Sequence, residues 1–310
     1  MSGYKYLFGP VPSRRLGASL GVSPIPERTC NYSCVYCQLG RTLRMTNTRQ
    51  EFFPLEEILA EFREYLRGSI PFDVVTVVGE GEPTLYSRLG ELIAGLKKET
   101  DKPMAVITNG ALLYDAELRR ELMEADIVLP SLDAVTEEQY RKIDRPMGSI
   151  GFAEMAEGLR QFAREYQGQL WIEIMLVDSM NDSPEDIAAF KEFLGTIDYD
   201  RVYLNTPVRP PAEGFVHTSA PERIDLAARE LGGISIDQLT SGSFFSEVED
   251  PYEAILSIAR RHPMNQFEVE SFLEAREIPA DQRQALMERL GQDPGITVVP
   301  YKGIITYRVN

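Results

Sequence analysis

The sequence predicts an α/β protein: an open, partial (β/α)6 barrel of parallel strands, followed by a small C-terminal domain. Two observations lead to this fold class. From about residue 17 to residue 220, short apolar runs alternate with amphipathic segments, a pattern typical of parallel strands joined by right-handed crossovers. Further on, three helical segments precede two short apolar runs. Six strand–helix units are too few for a closed eight-stranded barrel, so an open one is expected.

The periodicity is clearest in the first predicted helix, where Leu55, Ile58, Leu59, Phe62 and Leu66 recur at intervals of three and four residues. The barrel strands are predicted at residues 18–22, 73–78, 104–108, 127–131, 170–177 and 201–205. The barrel helices are predicted at residues 54–67, 88–99, 115–123, 152–166, 184–194 and 221–231.

The C-terminal segment is predicted to be a separate winged-helix-like domain. The expected boundaries are a barrel over 1–220, a connector over 221–250 and the small domain over 251–310; the stretch from Arg209 to Asp250 is rich in Pro, Gly and Ser. In this domain, helices are predicted at residues 252–261, 266–276 and 280–290, and strands at 296–300 and 304–309. Asn265 with Glu268 resembles a capping box, and Lys302-Gly303 supplies a hairpin turn.

A winged helix invites a DNA-binding interpretation, but the charges do not favour it. From Arg260 onward there are seven basic and seven acidic residues, so the basic footprint of DNA-binding domains is missing. Docking of a protein or peptide, a lid over the barrel and simple packing all stay open as roles for this domain.

The composition of the chain disfavours nucleic acids and membranes as binding partners. The net charge of −16 disfavours binding to a phosphate backbone, although a local basic patch would permit it. No apolar run approaches the length of about 20 residues that spans a bilayer. No basic segment followed by an apolar one opens the sequence, and the clustered thiols suit a reducing compartment. A cytoplasmic protein that does not bind membranes is therefore expected.

The three cysteines of the chain, Cys30, Cys34 and Cys37, fall within eight residues in the spacing C-x3-C-x2-C. An odd number in one loop does not suit a disulfide framework, whereas thiolates are good ligands for a metal centre. A four-iron cluster usually takes four thiolates, so three would leave one iron open to a small molecule. A zinc site with a fourth ligand and plain packing stay open as alternatives, but His217 and His262 are distant in sequence.

Polar residues also follow each of the other five predicted strands. Because active sites of such barrels lie at the carboxyl ends of the strands, we expect these residues to gather around the cysteines. The sets are Gly79-Glu80-Gly81-Glu82-Pro83, Thr108-Asn109-Gly110, Ser131-Leu132-Asp133, Asp178 with Asn181, and Asn205-Thr206-Pro207 with Arg209. Turn formation or capping is the alternative explanation for each set.

The cysteine loop resembles that of the radical S-adenosylmethionine (radical SAM) superfamily in three features. These are the cysteine spacing, an aromatic residue (Tyr36) just before the last cysteine, and a Gly-Glu-Pro after the second strand. The resemblance covers about residues 5–210. Within the superfamily, the segments 9–17 and 204–207 resemble a prokaryotic subgroup of generic iron–sulfur oxidoreductases, which is similar to wyosine-synthase-like and molybdenum-cofactor-synthase-like proteins.

The resemblance implies a cofactor set and a reaction. Cys30, Cys34 and Cys37 would bind one 4Fe-4S cluster, whose fourth iron would chelate S-adenosylmethionine (SAM). A flavodoxin- or ferredoxin-type reductant would supply an electron, and a 5′-deoxyadenosyl radical would abstract hydrogen from substrate. No further cysteine exists to hold an auxiliary cluster. The residues implied to bind SAM are Tyr36, Gly81, Glu82, Pro83, Thr108, Asn109, Ser131, Asp133, Asn181, Asn205 and Thr206.

Arg14, Arg145 and Arg209 are the candidate substrate-binding residues, because arginine captures carboxylate or phosphate in a planar, bidentate geometry. The adjacent Arg15 could instead place this pair at the bottom of the barrel in a structural role. Three functions are carried forward. They are a radical SAM enzyme for a small molecule or peptide, a radical SAM enzyme modifying RNA, and a non-catalytic metal-binding protein.

Overall fold

The structure is a computed structural model and describes residues 4–236, 244, 246, 248–301 and 303–310. The strands are Leu7–Ser13 (β1), Gly17–Val22 (β2), Thr29–Cys30 (β3), Arg44–Met45 (β4), Val74–Val77 (β5), Met104–Thr108 (β6), Ile127–Pro130 (β7), Gln169–Met175 (β8), Arg201–Asn205 (β9), Ile234–Ser235 (β10), Met264–Asn265 (β11), Ile296–Tyr301 (β12) and Ile304–Val309 (β13). A 3-10 turn spans Pro83–Leu85.

The helices are Leu55–Tyr65 (α1), Leu89–Lys97 (α2), Ala116–Leu122 (α3), Glu137–Ile143 (α4), Phe152–Glu165 (α5), Pro184–Leu194 (α6), Pro221–Leu231 (α7), Pro251–Ala259 (α8), Gln266–Ala275 (α9) and Ala280–Gln292 (α10). In the described part of the chain, no helix combines the length and the apolar character that a membrane crossing requires.

One eight-stranded sheet carries the fold, in the order β1-β2-β5-β6-β7-β8-β9-β10. From β2 to β10 all neighbours pair in parallel, and β1 pairs antiparallel to β2 at the edge. Six strands of this sheet, β2 and β5 to β9, are the predicted ones, so the predicted partial barrel is confirmed. The parallel sheet places the carboxyl ends of these strands at one end of the molecule.

Several elements were not predicted: the two-residue strands β3, β4, β10 and β11, and two longer elements, β1 and α4, which were missed for different reasons. Strand β1 contains Pro10 and Pro12, which cannot donate a ladder hydrogen bond, and this strand is tolerated because it lies at the edge of the sheet. Helix α4 has seven residues, too few for a helical period to stand out, although Thr136 caps its amino end. Both elements matter for the site, because β1 contacts the C-terminal unit and α4 contacts the cysteine loop.

The barrel has two apolar layers. On the outside, the helices pack against the sheet through fully buried side chains such as Phe62, Phe162 and Phe190. Inside the barrel, Trp171 and Tyr203 pack with aliphatic residues from the neighbouring strands. Because both faces are covered, strands such as β5 and β7 are buried at every residue, as parallel strands require.

The C-terminal unit has its own core. Its three helices, α8 to α10, accompany a three-stranded sheet in the order β11-β13-β12, and the core includes Tyr252, Phe272 and Leu273. The predicted capping box is present, since Asn265 and Glu268 exchange side-chain and backbone hydrogen bonds. The elements agree with the predicted helices and hairpin, and their classification as a winged helix stays a prediction.

The predicted connector, 221–250, begins with elements of the barrel. Helix α7 buries Ile224, Ala227 and Leu231 in the main core, and β10 extends the large sheet. Residues 237–243, 245 and 247 of the connector lie outside the described residues, as does Lys302 of the predicted hairpin turn. The predicted domain boundaries stay predictions.

Candidate active site

The three cysteines lie on one loop that begins at the end of β3. Cys30 ends this strand, and its Sγ accepts the backbone N–H of Tyr32 at 3.3 Å. The Cys37 N–H donates to the Cys34 carbonyl at 3.2 Å, which closes a tight turn between these two residues. All three thiols are partly buried and free of disulfides. The loop therefore gathers three soft donors at the carboxyl end of the barrel.

The backbone of the loop is fixed by its neighbours. Val35, between the second and third cysteines, is fully buried and packs with Ile143, Val177 and Val216. Its N–H donates to the Ile143 carbonyl at 2.9 Å, and its carbonyl accepts the N–H of Glu213 at 3.1 Å. The loop is thus held from both sides, by the end of α4 and by the segment after β9.

The Gly-Glu-Pro after β5 lies directly against the cysteine strand. A Cβ on Gly81 would lie 1.8 Å from the carbonyl oxygen of Thr29, so only glycine permits this approach. The N–H of Glu82 donates to the same oxygen at 3.0 Å. Pro83 is buried and starts the 3-10 turn that follows. The motif therefore fixes the position of Cys30, the next residue after Thr29.

The Glu82 carboxylate joins the ends of two strands. It is 2% exposed, accepts hydroxyl hydrogen bonds from Thr84 and Thr108 at 2.6 Å each, and accepts the Asn109 N–H at 2.7 Å. Burial raises the pKa of Glu82, and these hydrogen bonds oppose the rise. The side chain is occupied by the protein, so its part in the site is to hold the strand ends in place.

Asn109 and Asn31 lie beside the first cysteine. The Asn109 Nδ2 is 3.7 Å from the Cys30 Sγ and donates to the Asn31 Oδ1 at 2.7 Å. Asn31 is fully buried, and its Nδ2 has no acceptor among the described residues. A buried donor without a partner is costly, so this atom marks a place for an acceptor that the protein does not itself supply. Asn31 was not singled out from the sequence, although it directly follows Cys30.

A buried acid pair lies on the other side of the loop. Asp133 accepts the Tyr36 hydroxyl and, at 2.7 Å, the Met175 N–H. Asp144 lies 3.9 Å from the Cys34 Sγ. Burial raises the pKa of Asp133 and of Asp144. The negative charge of Asp133 raises the pKa of Asp144 further. Asp144 follows a helix that the sequence did not predict, and it is brought to the loop by the fold.

The remaining predicted SAM residues lie at the same end and already have protein partners. Asn181 is fully buried and bonds backbone groups of Asp133, Met175 and Val177, which is the capping role foreseen as its alternative. Ser131 donates its N–H to the Thr108 carbonyl.

Two further members of this set lie at the carboxyl end of β9. The side chain of Asn205 bonds Glu173 at 3.0 Å, and the hydroxyl of Thr206 accepts the Ser219 N–H, also at 3.0 Å. The structure thus brings the predicted set together, while the SAM-binding roles stay predictions.

The candidate substrate arginines are scattered. Arg14 lies in the turn between β1 and β2, before the amino end of β2. Arg145 pairs with Glu213 beside the cysteine loop at 2.5 Å. Arg209 donates to both carboxylate oxygens of Glu268, in the C-terminal unit, at 2.9 and 3.0 Å. Their substrate roles stay predictions, and Arg209 as placed joins the barrel to the C-terminal unit.

The donor set fits a cluster. Burial raises the pKa of all three thiols, and a metal binds the deprotonated thiolate, so binding of metal would release their protons. Across the described residues, no three His, Cys, Asp or Glu side chains are placed to hold a metal ion. Cluster thiolates bind separate irons, so they need not meet at one point. The unpaired Asn31 Nδ2 beside Cys30 supplies a donor for an acceptor bound there.

A cavity of about 980 Å³ lies between the segment after β9 and the C-terminal hairpin. Its lining includes Pro210, His217, Thr218, Ile224 and Tyr301, and no cysteine. The Tyr301 hydroxyl donates to the Pro207 carbonyl at 2.8 Å, which ties the hairpin to the end of β9. Such a volume suits a small molecule, but the described lining contains none of the cofactor residues.

Comparisons with known proteins agree with this site. The family described as the radical SAM superfamily matches residues 25–191. The UPF0026 protein MJ1312 of Methanocaldococcus jannaschii is 33% identical over 314 aligned residues, which cover 98% of this chain and 95% of that protein. A protein named GTPase Obg, from Brachyspira hyodysenteriae, is 42% identical over 205 residues; the match covers 66% of this chain and only 30% of that protein.

Solved structures show the same fold at low sequence identity. A radical SAM methyltransferase from Sphaerobacter thermophilus superposes with a TM-score of 0.52 and 18% identity, over 71% of this chain and 68% of that one. The family match covers more than half of the chain and includes all three cysteines. The chain therefore belongs to the radical SAM superfamily of enzymes.

Proposed function

We propose that Cys30, Cys34 and Cys37 bind a single 4Fe-4S cluster with SAM at its open iron, and that the enzyme abstracts a hydrogen atom from a small-molecule or peptide substrate. The observation that carries the proposal is the contact of the cysteine loop with the neighbouring strand ends. The Cys30 Sγ lies 3.7 Å from Asn109, whose own N–H is held by Glu82. A structural metal site would not need this polar frame around it.

Each group in the frame has a task in this proposal. Cys30, Cys34 and Cys37 would hold the cluster, whose chemistry would be one-electron reduction of the SAM sulfonium, with methionine and a 5′-deoxyadenosyl radical as the products. Glu82 fixes the turn of the Gly-Glu-Pro against β3, so that backbone carbonyls at the strand end are available to an ammonium group. The Asn31 Nδ2 offers a hydrogen bond to an acceptor beside Cys30. The buried surroundings of Val35 limit the access of water to the loop.

The proposed substrate class rests on the net charge of the chain and on one structural neighbour. A net charge of −16 works against a nucleic-acid substrate, so a small molecule or peptide is favoured. One structural neighbour, native anSMEcpe with bound AdoMet and a peptide, superposes with a TM-score of 0.51 and 18% identity. The electron would come from a flavodoxin- or ferredoxin-type protein, because the chain has no thiols for a second cluster.

The test is the formation of 5′-deoxyadenosine. The protein is reconstituted anaerobically with iron and sulfide, mixed with SAM and dithionite, and assayed by chromatography. The wild type and a Gln38→Ala variant, changed in the same loop, are expected to form 5′-deoxyadenosine. Cys34→Ala is expected to lose the cluster absorbance and the product together. An intact cluster without any SAM cleavage in the wild type would contradict the proposal, and so would turnover by Cys34→Ala.

A further inference from the structure

The C-terminal hairpin presents one face to its own helices and the other to the barrel. Strands β12 and β13 pair in register, with Thr297 opposite Arg308 and Val298 opposite Tyr307. Tyr307 is 5% exposed and belongs to the core of the C-terminal unit. Because neighbouring side chains on a strand point to opposite faces, Arg308 points away from that core. Its Nη2 donates to the Pro210 carbonyl, after β9, at 2.7 Å.

Arg308 meets a second arginine beside the cysteine loop. The point that a Cβ of Gly40 would occupy is 3.6 Å from the Nη1 of Arg308 and 3.6 Å from the Nη1 of Arg28, so these two nitrogens lie within about 7 Å of each other. The Gly40 N–H donates to the Cys37 carbonyl at 3.1 Å, and Gly40 has a φ of +92°. Two guanidinium groups from two units of the protein therefore face the end of the cysteine loop.

The two cations have few anionic partners of their own. Arg28 forms a 3.4 Å ion pair with Glu27, a half-exposed neighbour, and the described contacts of Arg308 include no carboxylate within 4 Å. Among the described residues, the buried Nε of Arg308 has no hydrogen-bond acceptor, and the buried Nε of Arg28 has only its ion pair with Glu27. Like charges this close are unfavourable unless an anion lies nearby.

Cys37 is the proposed cluster ligand nearest along the chain to this pair of arginines. The Gly40 N–H donates to the Cys37 carbonyl, so the turn that carries Gly40 also carries the third cysteine. The two guanidinium groups beside Gly40 therefore lie at the Cys37 end of the loop, with Arg308 as the contribution of the C-terminal unit.

We propose that Arg308 and Arg28 are positioning residues for the metal centre: they place positive charge beside the Cys37 ligand and thereby raise the reduction potential of the cluster. This inference rests on the proposed cluster-binding role of the cysteines. One-electron reduction by an external donor, with no proton taken up, makes the bound cluster more negative by one charge. Nearby cations stabilise that state more than the oxidised one, and partial burial limits screening by salt.

The proposal gives the C-terminal unit a task. Its hairpin is tied to the barrel by Tyr301 and Arg308, and only a docked hairpin places the Arg308 charge at the loop. The chain brings this charge from its last residues to a loop that starts at its thirtieth residue. Loss of docking would therefore change the electrostatics of the centre without altering any cysteine.

The midpoint potential of the reconstituted cluster tests the proposal, measured by a redox titration followed by electron paramagnetic resonance without SAM. Arg308→Gln is expected to lower the equilibrium constant for reduction about tenfold, which corresponds to a potential lower by about 59 mV for one electron. Arg308→Lys keeps the charge and is expected to stay close to the wild type. Arg289→Gln, an equal charge change on α10 beside Tyr252, is the matched control.

Arg28→Gln provides a second route that leaves the hairpin contacts intact, and it is also expected to lower the potential. The proposal is overturned if the equilibrium constant for reduction stays within twofold of the wild-type value in both glutamine variants while their clusters remain intact. It is equally overturned if Arg289→Gln lowers the potential as much as Arg308→Gln. A wild-type protein that assembles no cluster refutes the ligand assignment instead, so the two failures are distinguishable.

Discussion

At the amino ends of the parallel strands, acidic side chains are exposed or half-buried and serve the backbone. Asp73, Asp126 and Asp200 precede β5, β7 and β9, and each accepts an N–H from the start of a neighbouring strand at 2.7–2.8 Å. At the carboxyl ends two acids of the site are buried instead. Glu82 and Asp133 are 2% and 3% exposed, and burial raises the pKa of both.

Within one sheet, the acidic residues at the amino ends of the strands are structural, whereas those at the carboxyl ends surround the candidate active site. An exposed carboxylate that caps a strand costs little to place, whereas a buried acid costs free energy that only precise hydrogen bonding offsets. The carboxyl ends also hold the partly buried thiols and the unpaired Asn31 donor. Features that lower stability thus concentrate where the barrel architecture places chemistry, and the amino ends carry the regular caps.

The largest effect is expected from Glu82→Gln. The amide NH2 replaces one carboxylate oxygen, so a donor faces either the Asn109 N–H or the hydroxyls of Thr84 and Thr108, and the strand ends that frame Cys30 lose their position. We expect 5′-deoxyadenosine formation to fall by about 10- to 100-fold and the free energy of unfolding to fall by about 1–3 kcal/mol. The assay is chromatography of the product, with urea unfolding of the same samples.

Glu91→Gln is the matched control for this change, because Glu91 lies on the exposed side of α2 and pairs with Arg88. Its rate should equal that of the wild type. A Glu82→Gln enzyme with full activity would show that the buried acid at the carboxyl ends does not serve the reaction, and the two ends of the sheet would then not differ in function.

An intermediate effect is expected at His262, which contacts the Nη2 of Arg209 at 2.6 Å and helps to hold the C-terminal unit. Burial, followed by the charges of Arg209 and Arg14, lowers the pKa of His262 well below its ordinary value. Stability from this group is therefore present above pH 6.5 and is lost as the pH falls below it. Between pH 7.5 and 5.5, the wild type should lose about 1.4 kcal/mol through this residue.

Urea unfolding of His262→Gln at the two pH values measures this contribution, as the difference in pH dependence from the wild type. The His217→Gln variant changes the other histidine of the chain and serves as the matched control. An equal loss in His262→Gln and the wild type would show that Arg209 is not held by a neutral histidine.

The smallest effect is expected from Asp126→Ala at the amino ends. The Met104 N–H loses its acceptor and Lys97 loses a largely exposed ion pair. The free energy of unfolding should fall by about 1 kcal/mol, while 5′-deoxyadenosine formation per folded molecule stays within twofold. A tenfold loss of activity would mean that the amino ends also serve the reaction.

Local patterns in the sequence account for most of the barrel. Short apolar runs predicted the six strands, and helical periods predicted most of the helices between them. The cysteine spacing predicted the metal-binding loop. What was missed depends on contacts between distant segments. Asp144 reaches Cys34 through a short helix without a clear period, and Arg308 reaches the loop only because the hairpin docks on the barrel. Neither contact leaves a local pattern of spacing.

The proposed function requires that three thiolates hold a cluster with one iron open to SAM. The most direct measurement is the electron paramagnetic resonance spectrum of the dithionite-reduced, reconstituted protein before and after addition of SAM. We predict the signal of a reduced four-iron cluster whose g values change on addition of SAM. Addition of adenosine, which lacks the methionine part of SAM, is the control and should leave the spectrum unchanged. A spectrum that SAM does not alter, or a protein that binds zinc and no iron, would contradict the account.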